Sequence, residues 1–297
     1  MKEKIRKLAK EKNAIILAHN YEPPEIQDIA DLCGDSLELS IKASKTDADI
    51  IIFCGVHFMA ETAKILSPHK KVLLPNPDAG CPMADMVTPE ALLKRKEELK
   101  GVPVVTYVNS SAAVKAISDV CCTSANVVKI VNSLDAKEVL MTPDRNLAQY
   151  AAKHTNKKIH LWEGFCPFHN EMKKEDAIKA KEKYPNAVLI AHPECPPETL
   201  EIADEIASTS GMITIAKNSD KKEFIIATET GHIYPLKNAC PDKIFHIASE
   251  KIFCRDMKKI TPEMVLKSLE TGFGEVDVPE EIRIKALGSV EKMLGAK

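Results

Sequence analysis

The chain repeats itself three times, and no other feature limits its fold as strongly. Three strand-like stretches look alike: "NAIILAHNY" (Asn13–Tyr21), "VPVVTYVNS" (Val102–Ser110) and "NAVLIAHPEC" (Asn186–Cys195). Each follows a Lys/Glu-rich helical pattern, "EKIRKLAKEK", "PEALLKRKEELK" and "EDAIKAKEKY". The second opens with Thr88-Pro89-Glu90, a capping threonine with proline at the first helical position. Each strand leads into a short helix pattern and a matching phrase, "IADLCGDS" (Ile29–Ser36), "ISDVCCTS" (Ile117–Ser124) and "IADEIASTS" (Ile202–Ser210). Further strands follow in "ADIIIFCG", "KEVLMTP" and "KEFIIAT", and a last one closes each unit in "KKVLLP", "KKIHLW" and "DKIFHI". Each unit reads helix–β–α–β–α–β–α–β. Such alternation implies parallel sheets with helices on both faces and right-handed connections.

The expected fold class is therefore α/β: three similar parallel-sheet αβα units related by a pseudo-threefold axis around a central cavity. The units span residues 1–82, 83–168 and 169–255. A helical tail, 256–297, carries "TPEMVLKSLE" and "PEEIRIKALGSVEKML" and is expected to pack on the body.

Laid on one another, the units bring chemistry into register. His19, Tyr107 and His192 align, separated by 88 and 85 residues, as do Tyr21, Asn109 and Glu194, and Ser36, Ser124 and Thr209. Cys81, Cys166 and Cys254 follow the last strand of each unit, separated by 85 and 88. Ligands of open parallel sheets bind beyond the carboxyl ends of the strands, which is where these positions fall. If those ends face inward, the four rows line one cavity and the cysteines form a ring of three.

Three thiolates suit a soft metal. Zinc with a fourth ligand fits. So does a [4Fe–4S] cluster, whose usual four cysteines would here be three, leaving one iron open as a Lewis acid. Proline after Cys81 and Cys166 holds those cysteines extended; Arg255 follows Cys254. Ser36, Ser124 and Ser208-Thr209 precede helical runs and read as N-caps. Three such helix N-termini around one cavity would suit a small polyanion. Histidine, tyrosine and glutamate beside an open metal make a proton-transfer set. Cys33, Cys54, Cys121, Cys122, Cys195 and Cys240 have no threefold counterparts and read as small buried hydrophobes.

Net charge is −2 and aromatics are 5% of residues, so neither a nucleic acid nor an anionic membrane is expected as a partner. The first residues, "MKEKIRKLAKEKNA", lack an apolar signal region, and "IIIFCGV" (Ile50–Val56) is too short to span a bilayer. A cytoplasmic protein is expected.

From Ala14 to Met257 the sequence resembles the quinolinate synthase family of NAD biosynthesis. The resemblance rests on "ILAHNY" (Ile16–Tyr21), "DIADLCGDS" (Asp28–Ser36), "GVHFMAETAKIL" (Gly55–Leu66), "CPMA" (Cys81–Ala84) and "YVNS" (Tyr107–Ser110). It continues through "TSAN" (Thr123–Asn126), "PDRNLA" (Pro143–Ala148), "CPFH" (Cys166–His169), "HPEC" (His192–Cys195) and "ASTSGM" (Ala207–Met212). It implies condensation of iminoaspartate with dihydroxyacetone phosphate, phosphate release, dehydration and ring closure to quinolinate. It implies a [4Fe–4S] cluster on Cys81, Cys166 and Cys254 with one open iron. It further implies a substrate site among His19, Ser36, Tyr107, Asn109, Ser124, His169, His192, Glu194, Ser208 and Thr209. Tyr21 and Glu194, with His19 and His192, would be the catalytic groups. An enzyme supplying iminoaspartate is a candidate partner.

Departures from the family pattern are small. Gly164-Phe165 stands where some members have Gly-His, and Ser-Thr-Ser-Gly replaces Ser-Thr-Gly, which leaves a one-residue shift open among Ser208, Thr209 and Ser210. The alternative readings are another [4Fe–4S] hydro-lyase acting on a small polycarboxylate, and a non-catalytic metal-binding protein.

Overall fold

The computed structural model describes residues 1–295. The first unit runs α1 (Lys2–Glu11), β1 (Ala14–His19), α2 (Pro24–Gln27), β2 (Leu32–Gly34), α3 (Ser36–Lys45), β3 (Ile50–Cys54), α4 (His57–Leu66) and β4 (Lys71–Leu73). The second runs α5 (Pro89–Glu98), β5 (Val104–Tyr107), α6 (Ala112–Ala116), β6 (Val120–Cys122), α7 (Val127–Ser133), β7 (Glu138–Thr142), α8 (Arg145–Ala152) and β8 (Lys158–Leu161). The third runs α9 (Lys174–Lys183), β9 (Val188–Ala191), α10 (Pro197–Leu200), β10 (Glu205–Ile206), α11 (Thr209–Asn218), β11 (Glu223–Ala227), α12 (Ile233–Ala239) and β12 (Ile244–Ile247). The tail adds α13 (Pro262–Thr271) and α14 (Glu280–Gly295).

The fold is α/β, with three parallel four-stranded sheets ordered β2-β1-β3-β4, β6-β5-β7-β8 and β10-β9-β11-β12. The central strands are near-continuous apolar runs because helices cover both faces. Ile16, Leu17 and Ala18, and their counterparts Val104 and Val105, or Leu189 and Ile190, are fully buried. One aspartate per unit fixes the edge strand. Asp31, Asp119 and Asp204 accept the N–H of Ile16, Val104 and Leu189, each at 2.8 Å, and return their own N–H to the carbonyl of the same residue.

Buried side chains of the first two units and the tail share one large core, with a smaller separate cluster around Leu92 and Val104 in the second unit, and the third unit has clusters of its own. The tail closes the first two units. Helix α13 packs on α1, and α14 packs on α6, β6 and α4. Between them, the chain pairs antiparallel with the open edge of β4: Leu74 donates to the Gly274 carbonyl (2.8 Å) and Val276 to that of Val72 (2.9 Å). Only glycine suits position 274, where φ is +83° and a Cβ would collide with the Leu74 carbonyl. Among the described residues no helix is long and apolar enough to cross a membrane.

Gly274→Ala should lower stability by about 2–4 kcal/mol through left-handed strain and that collision. Gly288→Ala, in α14 with open space around it, should be neutral or mildly stabilising. Urea unfolding of both variants checks this; equal midpoints would show that the tail does not seal the β4 edge.

Candidate functional site

One repeated backbone bond places the three cysteine loops. The N–H of His57, Arg145 and Thr230, at the start of the fourth helical segment of each unit, donates to the carbonyl of Ala79 (2.8 Å), Gly164 (2.8 Å) and Ile252 (3.0 Å). A cysteine stands two residues beyond each carbonyl: Cys81, Cys166 and Cys254. A short 3-10 turn then follows, Ala84–Met86, His169–Glu171 or Asp256–Lys258. Gly164 has no room for a side chain, since a Cβ would strike the Pro143 carbonyl.

Carboxylates hold these loops from behind. Asp144 Oδ2 accepts the Cys166 N–H (3.0 Å) and Glu229 Oε1 accepts the Cys254 N–H (3.3 Å). The two acids are in register, and Val56 occupies the same row in the first unit. There Asp256, from the third cysteine's own turn, accepts the Gly80 N–H instead (3.3 Å).

The central strands supply the facing side. His19 ends β1, Tyr107 ends β5 and His192 directly follows β9. The Nδ1 of His19 accepts the Tyr21 N–H (3.2 Å) and the Nδ1 of His192 accepts the Glu194 N–H (3.3 Å). This bonding assigns the ring proton to Nε2 in both. Burial pushes both imidazoles down to about 3, so they are neutral.

A hydrogen-bonded chain crosses the cavity. The Tyr21 hydroxyl lies 2.6 Å from Thr228 Oγ1, which lies 2.8 Å from His169 Nε2. On the other side of that ring, Nδ1 is 2.8 Å from Glu194 Oε2 and 3.2 Å from Cys166 Sγ. Tyr107 donates its hydroxyl proton to Glu194 Oε1 (2.5 Å), and His169 stacks on His192 with centroids 4.7 Å apart. Burial alone would push the Glu194 carboxyl up. His169, His192 and the Tyr107 hydroxyl outweigh it and hold Glu194 below the usual range, as a carboxylate. Asp144 goes the other way: burial and the Glu194 charge push it up to about 8. Burial, and then the Glu194 charge, raise the Tyr21 and Tyr107 hydroxyls well above the ordinary value.

The N-cap expectation needs correction. Ser36 is the first residue of α3, and its cap is Asp35, whose Oδ1 accepts the N–H of Leu37 and Glu38 (3.0 Å each). Ser124 sits in the turn before α7, where Thr123 Oγ1 accepts the Ala125 N–H (3.3 Å) and Asn126 occupies the cap. Ser208 does cap α11, accepting the Gly211 N–H (3.2 Å). The physical reason is register: Asp35, Thr123 and Ser208 form the row one residue earlier, and their oxygens take up the local N–H groups.

A single cavity of about 700 Å3, mouth included, is lined by His19, Tyr21, Ser36, Tyr107, Asn109, Ser124, His169, His192, Glu194 and Thr209 together with Cys81, Cys166 and Cys254. Its wall also includes the apolar side chains Val56, Phe58, Met59, Met83 and Met257. Ser208 does not line it; its hydroxyl turns to Asp35 Oδ2 (3.1 Å). The Asn109 Oδ1 is buried without a partner, an acceptor available to a ligand donor.

The sequence matches the family model described as Quinolinate synthetase A protein over residues 3–295. The chain belongs to the quinolinate synthetase A family. It is 54% identical to the quinolinate synthase of Geobacter metallireducens over 294 residues, covering 99% of this chain and 97% of that protein. It is 55% identical to quinolinate synthase 1 of Methanosarcina acetivorans over 295 residues, with the same coverage. The quinolinate synthase of Thermodesulfovibrio yellowstonii is 52% identical over 293 residues, 98% of this chain and 97% of that protein. The chain is therefore an enzyme.

Several residues of this quinolinate synthetase A site escaped the sequence reading. Asp144 and Glu229 carried a signal, since they share a register row. Thr228 and Lys258 carried none, because each meets Tyr21, far off in the first unit. Cys166, His169 and Glu194 also bring possible metal-binding atoms within 4.8 Å of one another.

The neutral buried histidines give the fold an acid liability. Unfolded histidine titrates near 6.5, whereas His19, His192 and His232 titrate at about 3 in the fold. Between those values the unfolded chain binds protons that the folded chain refuses, so stability falls as pH drops below about 6.5. The melting temperature should decline steadily from pH 7 to pH 4.5, and His232→Leu should flatten that slope. A slope identical in parent and variant would remove His232 from the effect.

Proposed function

We propose that this chain makes quinolinate by condensing iminoaspartate with dihydroxyacetone phosphate, with release of phosphate and water, and that Cys81, Cys166 and Cys254 hold a [4Fe–4S] cluster. The observation that carries this reading is the joining of three register-matched cysteine loops and a proton-transfer chain in one cavity of a family member. The donor set suits such a cluster. Each cysteine sulfur receives backbone N–H groups from its own turn, from Met83 and Ala84, from His169, and from Asp256 and Met257. Burial pushes the Cys81 and Cys254 thiols up to about 12, so binding a metal group would expel their protons. When bound through three cysteines, the cluster supplies an open iron as a Lewis acid for a substrate hydroxyl.

The protein's own groups account for the rest. His19 and His192 are neutral Nε2–H donors suited to carboxylates. Ser36 and Thr209 are the first residues of α3 and α11, where hydroxyl and helix N-terminus together suit a carboxylate or phosphate. The chain Tyr21–Thr228–His169–Glu194 can carry a proton between its two ends. Tyr21 would exchange protons with the substrate carbon skeleton, and Glu194 would hold the counter-charge. Tyr107, bonded to Glu194, and Asn109, with its unpartnered acceptor, would orient the substrate. The largely apolar wall would limit hydrolysis of the imine.

A second reading places one metal ion on Cys166, His169 and Glu194. It is weaker because His169 and Glu194 already bond each other at 2.8 Å. Iron analysis separates the two. Cys81→Ala, Cys166→Ala and Cys254→Ala should each abolish the cluster after anaerobic reconstitution with iron and sulfide, while Cys54→Ala keeps it. Full metal retention in Cys81→Ala and Cys254→Ala would favour the second reading.

The activity is tested by mixing the reconstituted protein, without oxygen, with freshly generated iminoaspartate and dihydroxyacetone phosphate, and reading quinolinate by mass. Glu194→Gln should keep its iron and lose turnover by roughly 10²–10⁴-fold, the usual range for a lost proton-transfer group. Full turnover in that variant would exclude Glu194 from the mechanism, and no product from the parent would exclude the reaction.

A further inference from the structure

The buried Glu229 and the partly exposed Lys258 form an ion pair that the proposed mechanism leaves unused. Glu229 follows Thr228, whose hydroxyl bonds the Tyr21 hydroxyl. Its carboxylate is 1% exposed and pairs with Lys258 Nζ at 3.0 Å. Oε1 accepts the Cys254 N–H (3.3 Å) and Oε2 the Gly231 N–H (2.7 Å). Lys258 lies in the turn that follows Cys254, and its Nζ also donates to the Tyr21 carbonyl. Gly231 makes the meeting possible: a Cβ there would strike Lys258 Nζ, Glu229 Oε2 and the Tyr21 carbonyl together.

Burying the Glu229 charge is a poor way to stabilise a fold, because its desolvation offsets the attraction of Lys258. Its placement is better explained by what it orients. We propose that Glu229 and Lys258 are positioning residues that couple the third cysteine loop to Tyr21. The pair fixes the Cys254 backbone with one oxygen. Through Lys258 it fixes the carbonyl of the residue whose hydroxyl Thr228 holds. Tyr21, two residues past β1 of the first unit, is thus gripped at both ends, by Thr228 and by Lys258, and any shift of the Cys254 loop is transmitted to its hydroxyl. The catalytic meaning of this coupling rests on the proposed role of Tyr21; the coupling itself does not.

The test uses the full chain purified without oxygen and labelled with 13C at the hydroxyl-bearing ring carbon of tyrosine. The chain has 5 tyrosines, and Tyr21→Phe identifies the Tyr21 signal. Lys258→Met should move the Tyr21 signal and leave the other four in place, and Lys258→Arg, which restores a two-donor cation, should bring it back. In the reconstituted enzyme, Lys258→Met should keep the parent's iron content and lower kcat roughly ten- to a hundredfold, the cost of a misplaced reacting group. KM should stay within about twofold of the parent, with kcat recovered in Lys258→Arg. An unmoved Tyr21 signal, movement of all five signals, or a change that Lys258→Arg fails to reverse would each overturn the coupling. A parent that forms no quinolinate would sink the proposed reaction, and the tyrosine signals would still decide the coupling.

Discussion

The site depends on one hydrogen bond made three times: the first N–H of a helical segment to a loop carbonyl two residues ahead of a cysteine. It joins the third strand–helix connection of each unit to the loop leaving the last strand. Because parallel strands all end on the same side, the loop must emerge near that helix terminus. The helix has N–H groups with no partner of its own to spend on it. Cys81, Cys166 and Cys254 reach one cavity because this bond is geometrically the same in every unit.

The units are not equal in what they add. The second and third hold their cysteine N–H with a buried acid, Asp144 or Glu229. The first has Val56 in that row and borrows Asp256, from the turn after Cys254, for Gly80. Chemistry is divided likewise along the row Tyr21, Asn109 and Glu194, where one repeated position became a phenol, an amide and a carboxylate. Burial of these side chains in the cavity wall sharpens these differences. It keeps His19 and His192 neutral while concentrating negative charge on Glu194 beside His169. The cavity therefore gathers neutral histidine donors, the Glu194 carboxylate and three cysteines.

Most of the fold was legible in the sequence because period and register are local properties. The alternation of strand and helix, the central strands and the four matched rows all appear in the structure. The caps were misplaced in two units, by one residue at Asp35 and by two at Asn126. A serine before a helical run looks alike whether it caps or opens the helix, and Asp35 and Thr123 were the residues whose oxygens bonded the local N–H groups. Ser208 capped as expected, and for that reason its hydroxyl is committed to the helix and to Asp35 rather than to the cavity.

By itself, the sequence determined three α/β units, the strand ends where chemistry gathers, and which cysteines share a row. Hydrophobic period and repeat spacing suffice for that. Only the tertiary structure decided which side chains touch. Tyr21 meets Thr228 across 207 residues and Lys258 across 237, and no local pattern encodes a contact between units. Nor could sequence tell which ionisable groups keep their charge. That follows from burial and from the partners that burial brings, as His169, His192 and the Tyr107 hydroxyl do for Glu194.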